Sequence, residues 1–225
     1  MNIEEFLINN TDKIYKDYCE KSIFTKYKIY GVKNNKLKKI AKNIIKAGKE
    51  KEILDNFDFK SFEEIQLYIY VLNMIDDFEM IVNYLDKLLN IIDNWSNCDS
   101  IKPNAFVDNI EKIKKCIEIW LNSNHIYKVR FAIICCIRYF YDDYEMLKKI
   151  INLKSNEYYI NIAKAWYITE CLGENFETSF EVLKENIPDK ATLTLMNQKV
   201  GYSMKISQDN KIRLKELKKI KKNLN

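Results

Sequence analysis

Apolar residues recur along most of this chain at the spacing of an amphipathic α-helix. Those between Leu37 and Ile45 follow the i, i+3, i+4, i+7, i+8 rule, and Gly48 comes next as a natural helix stop. Ser61–Glu64 has the spacing of a capping box, which predicts a helix running to about Ile75. A further apolar stripe lies between Phe106 and Leu121. The dominant period is therefore helical.

The same pattern predicts helices over most of the remaining chain, and Gly173 is expected to close the helix that carries Trp166. Only four Gly and two Pro are present, which argues against the many turns of a sandwich or barrel. Helices of similar length joined by short polar links are typical of antiparallel pairs stacked as in HEAT-like solenoids. The predicted helices cover residues 3–20, 78–92, 126–141, 143–152, 156–172, 176–186, 189–205 and 208–222.

We therefore predict an all-α fold, an α-α superhelix of degenerate HEAT-like helical pairs. No low-complexity linker divides the chain, so residues 1–225 are expected to form one domain. A solenoid of this kind would supply a concave face on which a long polyanion could lie. A globular helical bundle is the alternative.

The composition indicates in which cellular compartment the protein works and whether it binds a metal. No apolar stretch approaches the length of a membrane span, and the N-terminus lacks signal-peptide features, so a cytoplasmic protein is expected. The six cysteines include no C-x-x-C, and His125 is the sole histidine, which argues against a zinc site. We expect buried thiols in a reducing compartment, and neither metal nor cofactor.

The formal net charge of +5 is unevenly distributed. Lysines crowd the segment Lys33–Lys51, whose single acid is Glu50, and the segment Lys211–Lys222, whose single acid is Glu216. Clusters of this kind suit a polyanion, although each segment alone is equally typical of a solvated helix face. The charge is almost entirely Lys, which favours contact with phosphates over the reading of base edges.

The segment Asn94–Asp99 holds the candidate chemistry. Trp95 and Asp99 are four residues apart, so an aromatic face and a carboxylate could be offered together to one cationic ligand. The structural alternatives are a core role for Trp95 and an N-cap role for Asp99 at the next helix.

Five segments, in this order and spacing, resemble the DNA alkylation repair family, the AlkD-like HEAT-repeat glycosylases. No single segment is specific, but the ordered set is far stronger than any member. The resemblance covers roughly residues 20–220 and rests on Gly31–Ala41, Asn94–Asp99, Val129–Ile134, Tyr158–Trp166 and Met196–Val200.

The resemblance implies excision of N3- or N7-alkylated purines from double-stranded DNA by hydrolysis of the N-glycosidic bond, by a protein expected to act as a monomer. It implies that Trp95, Asp99 and Trp166 line the catalytic site, and that Arg130 contacts the DNA backbone. Further phosphate contacts are expected from four exposed-face candidates: Lys36, Lys39, Lys42 and Arg138. Buried-stripe packing for Trp166 and surface ion pairs for the two arginines are the structural alternatives.

Two other functions fit the same sequence. One is a non-catalytic protein that binds branched or distorted DNA on this scaffold. The other is a helical solenoid that binds proteins and has no nucleic-acid role. Release of a base from alkylated DNA, and affinity for DNA at low salt, separate the three.

Overall fold

The structure, a computed structural model, describes the backbone of residues 2–223 and the side chains of residues 2–216. Over this range the chain forms fourteen α-helices and one 3-10 helix, and its β pairing is limited to one isolated bridge between Lys28 and Ser61. The predicted all-α class is confirmed. The chain divides into two compact units, Met1–Ile113 and Lys114–Asn225.

The first unit contains seven complete helices, and α3, α5 and α7 pack in succession against one another. The 3-10 helix Asn104–Asn109 packs against α6. The helices are α1 (Ile3–Asn9), α2 (Lys13–Ser22), α3 (Asn34–Lys46), α4 (Glu50–Leu54), α5 (Phe62–Leu72), α6 (Phe78–Leu88) and α7 (Trp95–Ser100), and α8 (Ile110–Leu121) crosses the boundary between the units.

In the second unit the helices alternate between two layers. Helices α9, α11 and α13 pack side by side, as do α10, α12 and α14, and α11 also packs against α10 and α12. This alternation is compatible with an α-α superhelical repeat fold. The helices are α9 (Ile126–Tyr139), α10 (Tyr144–Asn152), α11 (Tyr158–Glu174), α12 (Phe176–Glu185), α13 (Lys190–Tyr202) and α14 (Gln208–Asn223).

Helix ends follow the local signals closely. The capping box forms at Ser61 and Glu64, and Gly48 takes a φ of +64° directly after the C-cap of α3. The single helix predicted over residues 3–20 is wrong, because α1 ends at Asn9 and α2 begins at Lys13. The Asp12 side chain accepts a hydrogen bond from the Tyr15 N–H at 3.0 Å and so starts a new helix.

A buried carboxylate on α5 holds the turn that precedes α3. Glu63 is 1% exposed, and its two oxygens accept from the backbone N–H groups of Tyr30 (3.1 Å), Gly31 (2.7 Å) and Val32 (3.2 Å). Gly31 has a φ of +83°, and a Cβ at this position would lie 2.4 Å from the Cβ of Lys16. Glycine is therefore required here by both conformation and space.

An ion pair between a fully buried lysine and a half-buried aspartate holds two helices together in the second unit. The fully buried Lys164 ammonium on α11 donates to Asp189 at 2.8 Å and to the Leu153 carbonyl at 2.5 Å. Asp189 also caps α13 by accepting from the Thr192 N–H at 2.8 Å. Burial alone would raise the pKa of Asp189, but the hydrogen bonds from Lys164 and Thr192 outweigh it and lower the pKa overall. This polar group fixes the start of α13 against α11.

The cysteines are buried thiols, as the sequence predicts, and Trp120 belongs to the core. All six cysteines are free thiols, and five of them are buried while Cys116 is half-buried. Trp120 is 2% exposed and packs against Phe131 with ring centroids 5.2 Å apart. Burial raises the pKa of both Cys135 and Cys171 to about 12, which makes these thiols poor nucleophiles.

Candidate functional site

The segment with the candidate chemistry folds as a short helix. Asn94 caps α7 by accepting from the Asn97 N–H at 2.9 Å, and α7 then runs from Trp95 to Ser100. Trp95 and Asp99 are thus one helical turn apart on one face, with Cβ atoms separated by about 5–6 Å. Both are half-buried. Asp99 lies within α7 and is not the N-cap of the next helix, which removes that structural alternative.

The half-buried Trp95 side chain is anchored by a hydrogen bond and by apolar packing. Its Nε1–H donates to the Ser22 carbonyl at 3.0 Å, at the end of α2. The indole also packs against an apolar cluster formed by Cys19, Ile23, Ile29 and Phe62. The core interpretation and the site interpretation of Trp95 therefore each describe part of the side chain.

A buried amide network lies beneath α7. The Asn94 amide donates to Asn97 Oδ1 at 2.7 Å, and the Asn97 amide donates to Gln66 Oε1 on α5 at 3.0 Å. Asn94 and Asn97 are both almost fully buried. A six-residue helix has little stability of its own, so this network is what orients the face that carries Trp95 and Asp99.

The α3 lysines form an exposed basic face. Lys36, Lys39 and Lys42 are exposed and make no ion pair with any residue whose side chain is described. Lys33, just before the helix, differs because it pairs with Asp12 at 2.7 Å. Its hydrogen bond is the main reason that the pKa of Asp12 is lowered. The ammonium groups of Lys36, Lys39 and Lys42 are thus available to an external anion.

Trp166, in the second unit, is half-buried on α11 and borders a shallow cavity. Its Nε1–H donates to Glu170 Oε1 at 3.3 Å, and the Lys199 ammonium lies over its ring at 5.3 Å from the centroid. Glu170 also accepts from Lys205 at 2.8 Å. The cavity has a volume of about 390 Å³ and is lined by Trp166, Thr169, Glu170, Lys199, Tyr202, Ser203, Met204 and Lys205.

Arg130 is more buried than a phosphate-binding residue usually is. It is 5% exposed, and Nη1 donates to the Tyr159 carbonyl in the first turn of α11 at 2.8 Å. Tyr127 and Tyr159 bring the first turns of α9 and α11 together, with ring centroids 5.8 Å apart. Neither helix has a side-chain N-cap. Arg130 therefore joins two adjacent helix N-termini, and its contact with DNA stays a prediction. Arg138, in the last turn of α9, is half-buried.

The basic segment near the C-terminus is partly engaged within the protein. Arg213 binds Glu177 through two nitrogens, at 2.6 and 2.8 Å, and Lys211 donates to the Gly201 carbonyl at 3.2 Å. Arg213 therefore braces α14 against α12 and is not free to meet a polyanion. The side chains of Lys218, Lys219, Lys221 and Lys222 lie outside the described residues.

Sequence reasoning missed several residues that support the site. Glu63 and Lys164 are charged residues within apolar stripes, and that misfit was the available signal. Asp93, at the start of the α7 segment, accepts from the Thr25 hydroxyl and the Lys26 N–H, both at 2.8 Å. Thr25 and Lys26 lie 68 and 67 residues before Asp93, so no local sequence pattern predicts these hydrogen bonds.

The described residues form an all-helical protein with a tryptophan and a carboxylate on one face of α7. The same unit contains the lysine-lined helix α3, and the second unit carries another half-buried tryptophan. The family model described as DNA alkylation repair enzyme matches residues 3–197, and the chain belongs to this family. Its membership supports a role in DNA repair, with DNA as the substrate. A comparison with curated proteins found no significant match. Among the described helices, none is long and apolar enough to cross a membrane.

Proposed function

We propose that this protein is a monofunctional DNA glycosylase that excises cationic N3- or N7-alkylated purines from double-stranded DNA. The observation that carries the proposal is the pairing of Trp95 and Asp99 on one face of α7, both partly accessible to solvent. Family membership makes DNA the substrate, and the pairing supplies groups suited to a cation.

The chemistry needs little from the enzyme beyond charge stabilisation. N3- or N7-alkylation leaves the purine cationic, so the base departs with the electron pair of the C1′–N bond and needs no proton. Positive charge then develops on the deoxyribose, where the Asp99 carboxylate would stabilise it. Water adds to C1′ and loses its proton to Asp99 or to solvent.

The remaining residues would hold the DNA. Trp95 would contact the sugar or the cationic base through its ring face. Trp166 is proposed separately as a second aromatic contact for the DNA. Phosphate contacts are proposed on the exposed face of α3 and, separately, near the first turn of α9, where two helix N-termini meet. The residues proposed for these contacts are Lys36, Lys39, Lys42, Arg130 and Arg138. We further propose that the protein acts as a monomer in the cytosol or nucleoid.

The test is release of 7-methylguanine and 3-methyladenine from methylated DNA. We expect Asp99→Asn to lower single-turnover release by about 100- to 1,000-fold, as for the loss of one transition-state contact, while DNA affinity changes little. Asp108→Asn is the matched control, because Asp108 is an exposed carboxylate nine residues further on, and it should release base like the wild type.

Different results in the base-release and DNA-binding assays would favour the alternative functions. Wild-type release by Asp99→Asn would show that Asp99 is not catalytic. Tight, salt-dependent DNA binding without release by the wild type would favour the non-catalytic binder of branched or distorted DNA. No affinity for DNA at low salt would favour the protein-binding solenoid.

A further inference from the structure

One stripe of α11 carries Trp166 together with a residue that binds its ring nitrogen. Trp166, Glu170 and Gly173 follow the i, i+4, i+7 spacing, so they lie along one side of the helix. The Trp166 Nε1–H donates to Glu170 Oε1 at 3.3 Å, one helical turn further on. Both side chains also line the cavity described above. The indole therefore has its hydrogen-bond acceptor on its own helix, beside that cavity.

Glu170 is in turn bound by a second donor. Its other oxygen, Oε2, accepts from the Lys205 ammonium at 2.8 Å. This hydrogen bond is the main reason that the pKa of Lys205 is raised. Because the two carboxylate oxygens bind different donors, one orientation of the carboxylate is favoured, and that orientation presents Oε1 to the indole.

Gly173 leaves room for the Lys205 side chain. A Cβ on Gly173 would lie 3.0 Å from both the Cβ and the Cδ of Lys205, closer than an ordinary van der Waals contact. Glycine is not needed here for the backbone conformation, because the positive φ values among the described glycines are those of Gly31 and Gly48. The missing side chain instead lets the aliphatic stem of Lys205 lie directly against α11.

We propose that Glu170 is a positioning residue that fixes the Trp166 indole, through its N–H, for contact with DNA. This inference rests on the proposed function for the role of Trp166. The Trp166 side chain is half-buried, so packing covers only part of it, and the hydrogen bond to Glu170 selects one ring orientation. Orientation matters because displacement of a contacting group by about 1 Å can slow a reaction severely.

The alternative is that Glu170 and Lys205 form only an ion pair between α11 and the segment that follows α13. Two variants separate the roles. Lys205→Met breaks the ion pair and keeps the acceptor for the indole, whereas Glu170→Leu removes both. A pure ion-pair role predicts equal effects of the two variants. A positioning role predicts that Glu170→Leu has the larger effect, and that Glu170→Gln combined with Lys205→Met, which retains an amide oxygen, rescues the indole contact.

Fluorine NMR of protein labelled with fluorotryptophan reports on the indole directly, without DNA or catalysis. The chain has three tryptophans, so three resonances are expected, and Trp166→Phe identifies the resonance of Trp166. We expect Glu170→Leu to shift or broaden this resonance and to leave the other two in place. Lys205→Met and the double variant should keep it close to the wild-type position.

Single-turnover base release measures the consequence for the reaction. At saturating DNA, Glu170→Leu should be about tenfold slower than the wild type, with little change in DNA affinity. Lys205→Met and the double variant should stay within about threefold of the wild-type rate, as expected for the loss of an exposed ion pair. Wild-type rates in Glu170→Leu would remove Glu170 from the reaction.

Glu181→Leu is the matched control, because Glu181 also pairs with a lysine in the second unit, Lys184 of α12, at 2.8 Å. It should leave the Trp166 resonance and base release unchanged. Circular dichroism melting checks the fold of Glu170→Leu, and Glu170→Ala, which also lacks the acceptor, should reproduce its shift. An unmoved Trp166 resonance in both, or equal effects of Glu170→Leu and Lys205→Met, would overturn the positioning role.

The positioning role and the proposed function fail separately. Base release by the wild type, combined with an unmoved Trp166 resonance in Glu170→Leu, rejects the positioning role and leaves the glycosylase intact. A resonance that moves in Glu170→Leu but not in Lys205→Met, in a protein whose wild type releases no base, supports the positioning of Trp166 and rejects the glycosylase.

Discussion

The exchange of Glu63 for glutamine tests whether one buried carboxylate holds the turn at Tyr30, Gly31 and Val32. In Glu63→Gln the amide can keep one oxygen toward two of the three N–H groups, but its NH₂ then faces the third. One charge-assisted bond is lost, at about 2 kcal/mol, and two become neutral bonds, at about 1 kcal/mol each. The neutral glutamine side chain avoids the desolvation cost of the buried carboxylate, and this offsets part of the lost hydrogen-bond energy. We expect a net loss of about 3 kcal/mol of unfolding free energy.

Urea denaturation followed by tryptophan fluorescence measures this loss, because Trp95 packs against the α2 side of the same turn. Glu64→Gln is the control, since Glu64 is the adjacent residue and serves the capping box, in which glutamine also functions. It should lower stability by less than about 1 kcal/mol. Equal stability of the two variants would refute the assignment of the turn to Glu63.

Replacement of Lys164 by methionine should lower stability at neutral pH by roughly 1–2 kcal/mol, because Asp189 loses its ion-pair partner while its own side chain, 37% exposed, stays partly solvated. The folded pKa of Asp189 is lowered, so this contribution is present above about pH 4 and disappears as the pH falls through the folded pKa; chemical denaturation at pH 7 and pH 3 should show the difference shrinking, and a constant difference would contradict it. Glutamine at the three α3 lysines should weaken DNA binding and reduce the slope of log K against log salt by about 3, and an unchanged slope would remove α3 from the DNA interface. The three residues are Lys36, Lys39 and Lys42.

Sequence alone predicts the helices well, because their determinants are local. The apolar period, the capping box at Ser61 and the stop at Gly48 each act within a few residues, and each appears in the structure. The break at Asp12 is also local, but the apolar residues on either side of it continue one helical pattern. An N-cap inside an apparently continuous stripe is the signal that would have divided the predicted helix.

The site is less predictable, because its supporting contacts are long-range. The spacing of Trp95 and Asp99 places them on one helix face, yet nothing near them indicates that Ser22 accepts the indole N–H. Arg130 shows a related difficulty, since no local pattern indicates that the fold places its guanidinium against the Tyr159 carbonyl, and its contact with DNA stays a prediction. Burial depends on which helices become neighbours, and single-sequence patterns do not specify that.

The two candidate tryptophans are held by different kinds of support. Helix α11, which carries Trp166, packs against α9, α10, α12 and α13, so it cannot open without disrupting most of its unit. Helix α7, which carries Trp95, has only six residues and relies on side-chain hydrogen bonds from elements distant in sequence. Local breathing should therefore reach Trp95 long before it reaches Trp166. The Trp166 indole should therefore keep a fixed position, whereas the Trp95 indole can shift together with α7.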